Sequence, residues 1–167
     1  MFKKIALIML CALPLSLFAQ DKLGHINSKE IISVMPEIAG IEKTVDELGK
    51  KWESEIMKMR EEYNAKIQEY QAKQDSMPDG IKQIRMSEIQ EIEQRINTFQ
   101  QTAYTDLQKK QQDLITPVID KVKKAINEVG VESNLTYIFD LSTQSIIYQS
   151  PKSNDITALV KKKLGLK

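Results

Sequence analysis

Apolar residues recur through the middle of this chain at alternating steps of three and four, the spacing that lines one face of an α-helix. The first row is Ile38, Ile41, Val45, Leu48, Trp52, Ile56, Met59, Tyr63, Ile67 and Tyr70. The second is Ile89, Ile92, Ile96, Phe99, Ala103, Leu107, Leu114, Val118, Val122, Ile126 and Val129. Between them lies a single run of turn-forming residues, Asp75-Ser76-Met77-Pro78-Asp79-Gly80. The pattern predicts a long antiparallel helical hairpin over residues 38–129 with its tip at 75–80. Its first helix starts near Pro36, acceptable in a first turn, and runs to about Gln74. The second runs from about Pro78 to Val129, with Gly130 closing it. The mean step lies between a strict heptad and a straight helix, so any supercoil is shallow. At 1.5 Å per residue the arms reach roughly 55–75 Å.

The outer faces carry acid-before-base pairs four residues apart: Asp46–Lys50, Glu47–Lys51, Glu62–Lys66, Glu69–Lys73, Glu91–Arg95, Asp106–Lys110 and Asp120–Lys124. Each supports a helix by only ~0.2–0.5 kcal/mol, in the favourable orientation. A helix with one partner and much solvent needs such local support.

Both ends of the hairpin change period. Lys22 to Asn27 reads as a brief strand, and Asn27 can cap a short helix from Ser28 to Val34, with Glu30 at the capping-box position. Leu135 to Asp140 is rich in β-branched and aromatic residues. Ser142 to Gln144 makes a short connection, and Ser145 to Gln149 reads as a second strand of a hairpin. Asp155 can cap a final helix, Ile156 to Leu164. The fold class is therefore α+β, mainly α, with the helical arm projecting from a small β-strand body at residues 20–37 and 130–167. Short strands make a poor core alone, and oligomerisation is the usual remedy. Ile26, Ile138, Phe139, Ile146 and Ile147 are the candidate oligomerisation residues.

Residues 1–19 read as an export signal: Lys3-Lys4 precede an apolar run from Ile5 to Phe18, with Ala19 at a cleavage site before Gln20. Pro14 interrupts the run, which is short for a membrane span. Leu10 before Cys11 does not fit a lipoprotein signal, so Cys11 leaves with the leader. The mature chain then has no cysteine and no thiol chemistry. It keeps 22 basic against 23 acidic residues, a net charge of −1. That balance excludes general nucleic-acid binding, which needs a basic face. The expected location is the periplasm.

No catalytic pattern is present. His25 is the only histidine, it falls within a strand, and it reads as structural. The carboxylates fall at salt-bridge spacing, and no phosphate-cradling or nucleophile-elbow motif occurs. No enzyme activity, cofactor or metal is expected. In the arms, Met57, Met77 and Met86, with Tyr63 and Tyr70, are candidate contacts for an unfolded client, since flexible thioethers adapt to irregular apolar partners. Met59, Tyr63 and Tyr70 fall on the apolar stripe and are expected to pack between the helices. Met57 and Met77 lie off it and are the better contacts.

The order of elements, the opening KLGHINSKEIISVMPE (22–37) and the ending YIFDLSTQSIIYQSPKSNDITALVKKKL (137–164) together resemble the Skp/OmpH family of periplasmic chaperones. Asp155-Ile156-Thr157 at the start of the last helix is similar to the family's ending. The resemblance implies a homotrimer whose strands form a small β-barrel body, with three helical hairpins around a central cavity. It also implies an ATP-independent holdase for unfolded outer-membrane β-barrel proteins. The best-known members have basic arms, whereas residues 40–129 here are close to neutral, which argues against lipopolysaccharide or membrane-surface contact. The competing class is an exported coiled-coil scaffold or envelope spacer without clients.

Overall fold

A computed structural model describes residues 22–166. The leader expected at 1–19 lies outside these residues. In chain order the elements are β1 (Leu23–Ile26), α1 (Ser28–Ser33), α2 (Pro36–Lys73), α3 (Asp79–Glu132), β2 (Tyr137–Asp140) and α4 (Thr157–Lys163), with 3-10 turns at Gln74–Ser76 and Leu141–Thr143. The chain divides into two compact units, one made of Pro36–Ile119 and the other of the described residues up to Met35 together with those from Asp120 onward.

In the helical unit every residue of both expected apolar rows up to Val118 is buried or half-buried. No residue of α2 is fully buried, whereas Ile89, Ile92, Ile96, Ala103 and Val118 of α3 are. Contacts across the pair establish the antiparallel sense. Trp52 meets Phe99 edge-to-face at 5.0 Å, Glu62 accepts from Arg95 at 2.8 Å, and Tyr70 shares a small crevice with Ile89. As the number rises along α2, that of its partner on α3 falls. The expected pairs Asp46–Lys50 and Glu69–Lys73 form at 2.7 Å and 3.0 Å. Glu62 and Arg95, each expected to pair within its own helix, bridge the two helices instead. Periodicity along one helix cannot reveal that choice.

The other unit is built around β1. Its register with β2 is parallel: Leu23 opposite Tyr137, Gly24 opposite Ile138, His25 opposite Phe139 and Ile26 opposite Asp140. On its second edge His25 N–H donates to Asn154 O at 2.9 Å, and Ile156 N–H donates to His25 O at 3.0 Å. β1 is therefore the middle strand. Ile26, Ile31, Val122, Ile156 and Val160 are almost wholly enclosed and form the core. Each such side chain contributes roughly 1.5–3 kcal/mol by leaving water.

The C-terminal β-hairpin expected from the sequence does not form. β2 pairs with β1 rather than with Ser145–Gln149, and that second segment belongs to no strand. Alternation marks a segment that suits a sheet, but it does not say which edge will be available.

Gly130 does not end α3, which continues to Glu132. The helix closes one turn later through Asn134, held at φ 50°. Asn134 N–H donates to Val131 O at 3.1 Å, and Leu135 N–H donates to Gly130 O at 2.9 Å. This is the Schellman arrangement, with asparagine in the left-handed position that glycine more often takes. Gly130 has a different role: a Cβ there would stand 2.9 Å from Ile138 Cδ1. Its missing side chain lets β2 lie close on α3. Pro117 sits inside α3, where it removes one backbone donor without ending the helix.

Asn27 caps α1 as expected, accepting from Glu30 N–H at 3.2 Å. The reciprocal half of the capping box is absent. Asn27 N–H points to Thr157 Oγ1, and the Glu30 carboxylate pairs with Lys161. Asp155 does not occupy the cap position of α4, which is Ile156. Its Oδ1 still accepts from Thr157 N–H at 2.8 Å. Lys163, between Glu128 and Glu132, ties α4 to the end of α3.

The core around Ile156 is small, so one truncation is felt throughout the unit. Ile156→Ala should cost about 2–5 kcal/mol in urea unfolding followed by circular dichroism. A loss below about 1 kcal/mol would mean that this residue is not central to the core.

Candidate functional site

The body offers one surface. β2 alternates faces, with Ile138 and Asp140 turned inward and Tyr137 and Phe139 outward. Neighbours on a strand cannot share a face, so the five candidate oligomerisation residues separate. Ile26 is 1% exposed and belongs to the chain's own core. Ile138 is half-buried against Gly130. Phe139 and Ile146 line one crevice of about 980 Å³ with Leu23, Leu135, Leu141 and Tyr148. Ile147 is fully exposed, at 100%. Among the described residues β2 has β1 as its only partner, so its outer edge carries unpaired backbone groups beside this apolar crevice. Such an edge is a template for another strand.

Three further residues belong to the surface although the sequence reading did not select them. Leu23, Tyr137 and Tyr148 are exposed, and the Tyr137 and Phe139 rings stack at 6.4 Å. Strict alternation from Ile138 as an inward residue would have found Tyr137.

One polar network fixes the inner side of β2. Asp140 accepts from Ser28 N–H at 3.2 Å and Ser142 N–H at 2.9 Å, as well as from the Ser28 hydroxyl. Burial pushes the Asp140 carboxyl up, but the hydrogen bonds from Ser28 and Ser142 together outweigh it and hold it below the usual carboxylate range. Asp155 is likewise pushed up by burial and held low overall by Thr157, His25 and Lys161. His25 is buried on β1, with its Nε2 3.9 Å from Asp155 Oδ2.

The helical unit offers a second surface. Met57 and Met86 are exposed, at 56% and 40%. Met77 is half-buried in the crevice that Tyr70 and Ile89 also line. Tyr63 lines a separate crevice with Asn64 and Asn97. The five arm candidates are therefore spread over several places rather than gathered in one. Ile81 and Ile84 are also exposed, at 44% and 55%. In the first turns of α3 the half-buried positions belong to Lys82 and Arg85, one residue out of phase with these isoleucines. The stems of long cations can cover apolar surface while their heads stay wet.

Among the described residues no group of three or more His, Cys, Asp or Glu is placed to hold a metal, and no helix is long and apolar enough to cross a membrane. Fold and surfaces together define a mainly helical protein: a long helix pair joined to a two-stranded parallel sheet with an open edge. A model of the OmpH-like outer membrane protein family matches residues 22–164. The chain belongs to this family, the Skp/OmpH group that its two ends resemble. It is similar to the crystal structure of a candidate outer membrane chaperone (OmpH-like) from Caulobacter crescentus CB15, with a TM-score of 0.70 and 13% identity over 87% of this chain and 85% of that one. At that identity the likeness is one of fold. No curated protein matches the chain significantly.

The Asp140 network carries a pH signature. A carboxyl held low in the folded state stabilises above its unfolded pKa, and that stability is lost as pH falls through the lower folded value. Asp140→Asn should therefore cost roughly 1–3 kcal/mol at neutral pH. It should also flatten the decline of Tm on acidification below about pH 4. An unchanged acid profile in the variant would show that Asp140 is not a source of it.

Proposed function

We propose that this protein is an ATP-independent periplasmic holdase that takes up unfolded outer-membrane proteins in a cavity between helical arms of a homotrimer. The observation that carries the reading is the family match over residues 22–164, joined to surfaces that a single chain leaves incomplete. The similar Caulobacter structure is described as an outer membrane chaperone candidate, which supports the same class of work.

Subunit assembly uses the strand edge, and the number three is what the family resemblance implies. The outer edge of β2, the unpaired segment Ser145–Gln149 and the exposed Phe139, Ile146, Ile147 and Tyr148 are complementary needs: one lacks a strand, the other lacks a ladder. Exchange among subunits satisfies both. Hairpins from several subunits then enclose a client, and many weak contacts hold it. Met57, Met86, Ile81 and Ile84 supply exposed apolar contacts on those arms. Release follows when folding into the membrane outcompetes those contacts, a cycle that asks nothing of a nucleotide. The leader at 1–19 delivers the protein to the periplasm.

Light scattering tests the central statement. The mature protein should keep a urea-denatured outer-membrane β-barrel soluble on dilution, equally well with and without ATP. Unprotected aggregation would favour the client-free scaffold, and an ATP-dependent gain would point to another mechanism.

Assembly is tested at exposed positions, because Ile138 also packs inside its own chain. Phe139→Asp with Ile147→Asp should convert trimers to monomers in sedimentation velocity while circular dichroism keeps its helical signal. A trimeric double variant would remove this surface from the subunit contact.

A further inference from the structure

Midway along the helix pair is a crevice of about 290 Å³ lined by Arg60, Tyr63 and Asn64 of α2 and Glu93, Ile96, Asn97 and Gln100 of α3. Ile96, 7% exposed, is the apolar residue among them. The other six are polar. None of their side chains makes a hydrogen bond or an ion pair within the described residues, although Arg60 and Glu93 line the same crevice. Elsewhere on the helix pair several charged groups are committed. Lys58 holds Glu55, Arg95 holds Glu62, Lys73 holds Glu69 and Arg85 holds Glu88. Here donors and acceptors are gathered and left open.

The chemistry of the set selects its ligand. Asn64, Asn97 and Gln100 each carry both a donor and an acceptor, and the Tyr63 hydroxyl can act as either. Arg60 and Glu93 cancel, so an anion would face the carboxylate and a cation the guanidinium. What remains is an uncharged ligand with alternating donors and acceptors. An unfolded polypeptide presents that along its whole backbone, because outside a helix or sheet its N–H and C=O groups lack partners. The volume lies just under the usual range of ligand sites, about 300–1,000 Å³, suiting a short extended stretch rather than a folded element.

We propose that this crevice binds the main chain of an unfolded polypeptide in extended form, with the side-chain amides of Asn64, Asn97 and Gln100 pairing with backbone groups over Ile96. The inference rests on the holdase reading and deepens it. Main-chain recognition is indifferent to sequence, which suits clients that share no common segment. Apolar contacts on the arm then add to this binding but do not define it.

The test uses the full mature chain and two probes: a twelve-residue uncharged peptide, and the same peptide with alternate backbone amides N-methylated. N-methylation removes main-chain donors and leaves every side chain in place. Calorimetry should show the N-methylated peptide binding about tenfold more weakly to the unaltered protein. The double variant Asn64→Leu with Asn97→Leu keeps good helix formers and should weaken the unmodified peptide to a similar degree. It should abolish most of the difference between the two probes. Equal affinity for both peptides on the unaltered protein overturns the proposal, and this arm does not depend on the variant folding.

Aggregation assays separate the two levels. If the unaltered protein protects a denatured β-barrel and the double variant protects it equally, the crevice inference fails while the holdase reading stands. If the unaltered protein neither protects the client nor binds the peptide, both fail. A double variant that loses oligomeric state in sedimentation would assign the crevice to contact between copies of this chain, and would overturn the proposal in that way.

Discussion

Everything in the smaller unit depends on β1 having two neighbours. Four residues near the start of the described chain pair on one edge with β2 and on the other with Asn154 and Ile156. Parallel pairing cannot be closed by a tight turn and requires a long connection. Here that connection contains the entire helix pair. The core made by Ile26, Ile31, Val122, Ile156 and Val160 forms only when both ends of the chain and the last turns of α3 meet. Gly24 shows how tight the meeting is, since a Cβ there would stand 2.8 Å from Leu135 and 3.4 Å from Ile156.

Satisfying β1 leaves β2 at the edge, and the proposed assembly rests on that asymmetry. The inward face of β2 is completed within the chain, by Gly130 against Ile138 and by Ser28 and Ser142 against Asp140. Among the described residues its outward face and outer edge have no such partners. Natural sheets usually blunt an open edge with charge, proline or a covering element. This one instead presents Tyr137 and Phe139 beside a crevice lined with Ile146 and Tyr148, the surface to which the proposed assembly is assigned. The helix pair shows the same division between completed and open groups. Several of its charged groups pair within or between helices, as Asp46 does with Lys50 and Glu62 with Arg95. The polar side chains of the Asn64–Asn97 crevice do not, and the exposed methionines and isoleucines stay uncovered.

Much of the helical unit was legible because a helix repeats its environment every few residues. A run such as Ile89, Ile92, Ile96 states its own burial, and all of the expected stripe is at least half-buried. The candidate sites were less legible. Ile138 and Phe139 looked equivalent as adjacent apolar residues of one strand, yet the pleat sends them to opposite faces. Ile81 and Ile84 escaped notice because they fall outside the helical phase that the structure assigns to Lys82 and Arg85. The amides of Asn64 and Asn97 carry no mark in the sequence, since the role proposed for them rests on their lining one crevice without partners in the chain.

Sequence by itself determined the long helix pair, the turn near Pro78, the Asn27 cap and the family to which the two ends belong. These rest on local periodicity, on the intrinsic conformational preferences of single residues, and on motif order. Tertiary structure decided the partners. It gave β2 to β1 rather than to Ser145–Gln149, moved the close of α3 from Gly130 to Asn134, and turned Glu62 and Arg95 toward each other. The reason is the same in each case. A hydrogen-bonding edge, a close approach or a charge has several suitable partners along a chain, and only the folded arrangement puts one of them within reach.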